Sequence, residues 1–213
     1  MPTSRQHSFD AVLFDLLTAL VDSWTLWNKI AGNANDGHKW RAAYLRRTYQ
    51  TGAYRRYEML VAEAAAEVGL TPSPAAQLAA RYGELKPWPE VREVLNTLRA
   101  DGIGLGIVTN CSEELGATAV ACTGVAFDVV VTAERAGCYK PDPRPYKLAL
   151  DELGVTADRC LFVAGSAYDL FGTHKLGLAT YWHDRVGMRA PPDTPAPIEH
   201  HRSLYPLLNI VVG

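Results

Sequence analysis

The chain has 213 residues, which is enough for one large domain or for a core with a smaller insertion. Its 21 basic and 23 acidic residues give a formal charge of −2, a balance that argues against nucleic acid or an anionic membrane as a partner. There is no apolar run of membrane-spanning length, no signal-peptide pattern in residues 1–7, and no metal-ligand spacing among the four cysteines. We therefore expect a cytoplasmic protein with reduced thiols.

The first predicted element is a short apolar run, residues 9–14, that ends at Asp15. Such a run is typical of a buried parallel strand. Open α/β folds bind their ligands at the carboxyl ends of the strands, so Asp15 is expected at that edge. On its own, Asp15 is better explained as the cap of a following helix, and only the later stretches that supply partners favour a functional role.

Residues from about 22 to 83 show helical periodicity and no strand pattern. Breaks predicted at residues 35–37, 51–52 and 71–74 divide this block into four helices. Because the block follows the first strand, we predict an inserted helical cap at residues 21–86. The core is then predicted to comprise residues 1–20 and 87–213.

From residue 87 onwards, predicted helices and strands alternate. The helices are expected at residues 89–100, 112–122, 143–153 and 168–176. The strands are expected at residues 103–108, 127–132, 160–165 and 179–182. This alternation predicts βα units and an α/β fold with a doubly wound parallel sheet.

The predicted strand ends carry polar residues that would meet at one edge of the sheet. They are Asp15, Thr109, Asn110, Lys140, Ser166 and Asp169. Taken singly, each is explained by helix capping or by an exposed turn. Together they supply what a carboxylate nucleophile needs: a cation to orient it and donors for developing negative charge.

The order of these residues resembles the four motifs of the haloacid dehalogenase superfamily. The similar segments are Asp15 and residues 108–110, 140–143 and 163–169. The helical block is similar to the type-1 cap of that superfamily. The resemblance implies a hydrolase with a Rossmann-like core, a helical cap and a covalent aspartyl intermediate.

Two departures separate the chain from the magnesium-dependent phosphatases of that superfamily. Leu17 stands where those enzymes have a second Asp that acts as general acid, and Gly165 stands where they have a metal-binding acid. A magnesium ion would lose a hard oxygen ligand at the second position. Metal-dependent phosphatase chemistry is therefore not expected.

The metal-independent 2-haloacid dehalogenases are the branch that the chain resembles most. The similarity lies in the Trp40-Arg41 pair, the Lys-Pro-x-Pro-x-x-Tyr run at residues 140–146, and Tyr168 before the last Asp. The resemblance implies a small-molecule substrate bearing a carboxylate and a halogen or a comparable leaving group. It implies no cofactor, and Mg²⁺ enters only under the phosphatase alternative.

The resemblance also implies a role for each site residue. Asp15 would attack the halogen-bearing carbon and form an ester that water hydrolyses, while Lys140 orients Asp15 and Asp169 positions the water. The residues expected to bind the substrate are Arg41, Thr109, Asn110, Tyr146 and Ser166. Arg41 would accept the halide or the carboxylate, and Thr109 and Asn110 the carboxylate.

Several positions depart from the dehalogenase pattern. Leu17 replaces a Tyr, residues 18–19 replace Gly-Thr, and residues 164–166 replace Ser-Ser-Asn. These changes leave three functions open: a dehalogenase-type hydrolase, a phosphatase- or phosphonatase-like hydrolase, and a degenerate member that only binds. The oligomeric state is also open, with a homodimer among the alternatives.

Overall fold

The computed structural model of the chain describes residues 8–71 and 73–213. Residues 1–7 lie outside the described residues. They are the first residues of the predicted core and the stretch in which no signal-peptide pattern was found. Pro72, within the predicted break at residues 71–74, also lies outside them. All statements below concern the described part of the chain.

Six parallel strands form one sheet in the order β3-β2-β1-β4-β5-β6. The strands are β1 (Ala11–Phe14), β2 (Gly104–Thr109), β3 (Val129–Thr132), β4 (Cys160–Ala164), β5 (Ala179–His183) and β6 (Glu199–His201). Strand β1 lies in the middle and is fully buried, which explains its continuous apolar sequence. The predicted α/β class with a doubly wound parallel sheet is confirmed.

Ten α-helices surround this sheet in the described residues. They are α1 (Ser23–Ile30), α2 (Ala34–Thr51), α3 (Tyr57–Glu67), α4 (Ala75–Ala80), α5 (Val91–Ala100), α6 (Glu113–Thr123), α7 (Ala133–Ala136), α8 (Pro143–Leu153), α9 (Asp169–His174) and α10 (Tyr205–Val211). Helices α5, α6 and α10 pack on one face of the sheet, and α8 and α9 on the other. Within residues 8–71 and 73–213, none of the helices has the length and apolarity needed to cross a bilayer.

Four α-helices, α1 to α4, lie within residues 22–83, as predicted, but the predicted break at residues 35–37 is wrong. Helix α2 already begins at Ala34, and the Asn33 side chain caps it by accepting a hydrogen bond from the Asp36 backbone N–H at 3.0 Å. Gly37 is not a turn residue. A Cβ at Gly37 would lie 2.5 Å from the Cα of Asn28, so the glycine allows α1 and α2 to pack closely.

Helix α7, strand β6 and helix α10 were not predicted. Helix α7 has four residues and β6 only three, too few to show a periodicity. Strand β6 is also polar. It is held at the sheet edge partly by the His200 ring, which stacks on Trp182 with 4.0 Å between ring centroids.

Two short antiparallel bridges join the helical layer α1–α4 to the core. Val21 and Pro87 form an antiparallel bridge, flanked by a 2.8 Å hydrogen bond from the Asp22 N–H to the Lys86 carbonyl. A second antiparallel bridge joins Ala53 to Cys138. The layer is therefore fixed over the carboxyl edge of the sheet at both sides.

Candidate active site

A cavity of about 40 Å³ lies between the carboxyl edge of the sheet and helix α2. Its lining consists of Asp15, Leu17, Thr18, Arg41, Tyr44, Leu45, Tyr49, Asn110, Lys140, Ser166, Asp169 and Met188. Most of the sequence-predicted site residues are thus brought together. Thr109 and Tyr146 are not part of this lining.

Lys140 joins the two carboxylates at the base of the cavity. Its Nζ lies 2.8 Å from Asp15 Oδ1 and 3.0 Å from Asp169 Oδ1, and all three side chains are buried. Burial lowers the pKa of Lys140, but the two carboxylates outweigh burial and the net effect is a raised pKa. The lysine therefore stays positively charged between two acids.

Asp169 has the environment of a general base. Burial raises its pKa to about 6, and the positive charge of Lys140 opposes this rise while the negative charge of Asp15 adds to it. The Tyr146 hydroxyl donates a 2.7 Å hydrogen bond to Asp169 Oδ1. A carboxyl group with this pKa is ionised near neutral pH and still able to accept a proton.

The backbone places Asp15 close to the end of β4. The Asp15 N–H donates to the Val163 carbonyl at 2.9 Å, and the Ala19 N–H points at Asp15 Oδ2 from 3.4 Å. A Cβ at Gly165 would lie 2.6 Å from Asp15 Oδ2 and 2.8 Å from the Cβ of Thr18. Any residue larger than glycine at this position would displace the carboxylate.

Asn110 holds the loop that carries Lys140. Its Oδ1 accepts from the Lys140 backbone N–H at 2.7 Å, and its Nδ2 donates to the Lys140 carbonyl at 3.1 Å. The Asn110 side chain is therefore already used to position Lys140, and the predicted contact of Asn110 with the substrate would compete with these two hydrogen bonds. Thr109 is buried, the Tyr146 hydroxyl donates to Asp169, and neither residue lines the cavity, so their contact with a substrate stays a prediction.

Arg41 enters the cavity from α2 and is 2% exposed. One guanidinium nitrogen donates to Thr18 Oγ1 at 3.0 Å, and the group lies over the Trp24 and Trp27 rings at 4.7 and 5.4 Å from their centroids. Its Nε and Nη1 are buried and have no hydrogen-bond partner among the described residues. A buried cation with free donors favours binding of an anion.

Six lining residues were not predicted as part of the site, and two of them, Leu17 and Thr18, come shortly after Asp15 in the chain. Tyr44, Leu45 and Tyr49 follow Arg41 on the same face of α2, at the third, fourth and eighth positions after it. Helical periodicity starting from Arg41 would have found these three. Met188 comes from the segment after β5, where the sequence shows no regular pattern.

Comparison with known proteins agrees with this geometry. A family model described as haloacid dehalogenase-like hydrolase matches residues 9–176. Haloacetate dehalogenase H-2 of Moraxella sp. (strain B) is 35% identical over 53% of the chain, and (S)-2-haloacid dehalogenase H-109 of Pseudomonas putida is 30% identical over 70% of it. These matches span 51% and 71% of the two relatives' own lengths, so the first covers about half of that enzyme.

Among solved structures, an L-2-haloacid dehalogenase superposes on nearly the whole chain. The TM-score is 0.86 at 26% sequence identity, and the match covers 97% of this chain and 100% of the other. The two chains therefore share one fold over nearly their whole length. On the family match and this common architecture, the chain belongs to the haloacid dehalogenase-like hydrolases.

Proposed function

We propose that the chain hydrolyses small 2-haloacids without a metal ion, through an ester formed at Asp15. One arrangement carries this proposal. The Asp15–Lys140–Asp169 group and the unpartnered nitrogens of Arg41 share one small cavity. A nucleophile opposite an anion-binding group suits a substrate that has a carboxylate and releases a halide.

The first step is the displacement of halide by Asp15. Lys140 holds Asp15 Oδ1 at 2.8 Å, which leaves Oδ2 to attack the halogen-bearing carbon. A carbon–oxygen bond forms, and the carbon–halogen bond breaks with its electron pair leaving on the halide. Arg41 receives the halide or the substrate carboxylate through its free donors.

The second step is hydrolysis of the ester by water. Asp169 accepts a proton from the water as its oxygen adds to the Asp15 carboxyl carbon. The bond between the ester oxygen and that carbon then breaks, and the proton passes to the departing oxygen. The net products are a 2-hydroxy acid, a halide ion and one proton, and Asp15 is restored.

Residues 21–86 act in this proposal as a cap on a core made of residues 1–20 and 87–213. The two boundaries meet at the antiparallel bridge between Val21 and Pro87. Helix α2 of the cap supplies one wall of the cavity, with Arg41 as its charged residue. The cap thus provides substrate recognition and the core provides the nucleophile.

Halide release should depend on the chain length of the substrate. In the presence of EDTA, we expect turnover of chloroacetate, with kcat/KM lower by about tenfold or more for each added methylene in (S)-2-chloropropionate and (S)-2-chlorobutyrate. The reason is the cavity volume of about 40 Å³. Ion chromatography measures the halide, and absence of halide from every haloacid would contradict the proposed function.

A phosphatase-like activity is the second candidate, and two residues oppose it. Leu17 cannot donate a proton to a leaving group, and a metal-binding acid cannot replace Gly165 without displacing Asp15. In the described residues there is no group of three or more His, Cys, Asp or Glu placed to hold a metal ion. Phosphate esters with Mg²⁺ belong in the same substrate panel, and turnover of these alone would favour this candidate.

A binding module without catalysis is the remaining alternative. It predicts haloacid binding with no product, which calorimetry beside the halide assay would detect.

A cytoplasmic location remains part of the proposal, and the four free cysteines support it. A homodimer also remains a prediction, which light scattering would test.

A further inference from the structure

Hydrolysis of the ester requires a water molecule held beside Asp169 and the Asp15 carboxyl carbon. Asp169 Oδ1 is already engaged by Lys140 at 3.0 Å and by the Tyr146 hydroxyl at 2.7 Å. A second polar group is needed to fix the direction of the water. Four hydroxyl groups line the cavity. That of Thr18 accepts from Arg41 and that of Tyr44 donates to the Asn110 carbonyl, which leaves those of Ser166 and Tyr49.

The ring of Tyr49 is fixed by stacking on the core. It lies on Tyr168 with 3.9 Å between ring centroids and an interplanar angle of 19°. Tyr168 directly precedes Asp169, the first residue of α9. The stack therefore holds Tyr49, a residue of the cap helix α2, over the start of α9.

The hydroxyl of Tyr49 lies in a polar and negatively charged environment. Burial raises the pKa of this phenol, the nearby Asp169 raises it further, and side-chain hydrogen bonding with Ser166 opposes the rise. The phenol is therefore protonated at neutral pH. It can donate one hydrogen bond and accept another.

We propose that the hydroxyls of Tyr49 and Ser166 hold the hydrolytic water beside Asp169, so that Tyr49 is a water-binding residue of the second chemical step. This inference rests on the proposed function. It assigns a chemical role to a residue of the cap that the sequence motifs do not contain. Tyr49 also gives the cavity a second phenol beside that of Tyr44, although Leu17 stands where the resembled dehalogenases have a tyrosine.

Rapid-quench intact-mass spectrometry of the ester tests this role. With chloroacetate and enzyme in excess, we expect Tyr49→Phe to slow the decay of the ester about tenfold, the effect of one lost hydrogen bond in the transition state. The rate of ester formation should stay within about twofold of the wild type, because Tyr49 is not needed for attack by Asp15. Ser166→Ala should likewise slow the decay of the ester. The fold-slowing in the double variant should be smaller than the product of the two single-variant fold-changes, because both hydroxyls act on the same water.

Tyr54→Phe is the matched control. Tyr54 also belongs to the segment 21–86 and stacks on a core tyrosine, Tyr139, at 5.5 Å and 23°, but it does not line the cavity. Both rates should be unchanged in this variant. Unchanged ester decay in Tyr49→Phe, or equal slowing of formation and decay, would overturn the inference. A wild-type enzyme that forms no ester would instead overturn the proposed function itself.

Discussion

Asp15→Asn is expected to abolish halide release, with a loss of at least about 10⁴-fold in kcat. The amide has nearly the shape of the carboxylate but lacks the negative oxygen that attacks the substrate. Lys140 keeps its second partner, Asp169, at 3.0 Å, so the buried cation is still compensated and the fold should persist. Halide release per enzyme molecule, followed over long incubations, measures the loss.

Asp151→Asn is the control for this change. Asp151 pairs with Lys147 on the exposed side of α8, and its side chain is 59% exposed. The same substitution there should leave kcat unchanged. Activity of Asp15→Asn within tenfold of the wild type would exclude Asp15 as the nucleophile.

Lys140→Met is expected to reduce both activity and stability. Without the cation, the buried carboxylates of Asp15 and Asp169 repel each other, and the pKa of Asp169, which Lys140 holds down, rises further above its usual range. Asp15 also loses the 2.8 Å contact that orients it for attack, so we expect kcat/KM to fall by about 10³-fold. The free energy of unfolding should fall by about 3–5 kcal/mol near neutral pH, because two buried charges lose their partner.

The stability change should depend on pH. Acidification protonates the uncompensated Asp169 carboxylate of Lys140→Met and relieves the cost of burying its charge, so the destabilisation relative to wild type should be smaller near pH 5 than near pH 7. Urea unfolding at both pH values measures this difference. Lys147→Met, which removes an exposed ion pair, should change the unfolding free energy by less than about 1 kcal/mol. A Lys140→Met protein as stable and as active as wild type would contradict the assigned charge arrangement.

The fold was predictable where the strands are long and buried. Strand β1 contacts a strand on each side and is covered on both faces, so burial selects an unbroken apolar sequence. Strand β6 was not predictable, because its Glu-His-His sequence lies at the edge and is stabilised by stacking on β5. The turn predicted at residues 35–37 is wrong because of tertiary packing as well. Gly37 lies inside a helix, where it allows two helices to pack closely.

The charged core of the site was predictable from topology. Asp15, Lys140 and Asp169 follow separate elements, and their meeting point is fixed by the parallel order of the strands. The roles of Asn110 and Tyr49 were not predictable. Asn110 bonds the Lys140 backbone across 30 positions of sequence, and Tyr49 depends on how the inserted helices lie over the core.

The origin of the oxygen atom transferred to the product tests the central claim most directly. Enzyme turned over with chloroacetate in oxygen-18 water and EDTA should gain heavy oxygen in the peptide that contains Asp15, because water attacks the Asp15 carboxyl carbon. A single turnover should yield product without the label, since its new oxygen comes from the protein. Heavy oxygen in the first-turnover product and none in the Asp15 peptide would mean that water attacks the substrate directly, and would contradict the ester mechanism.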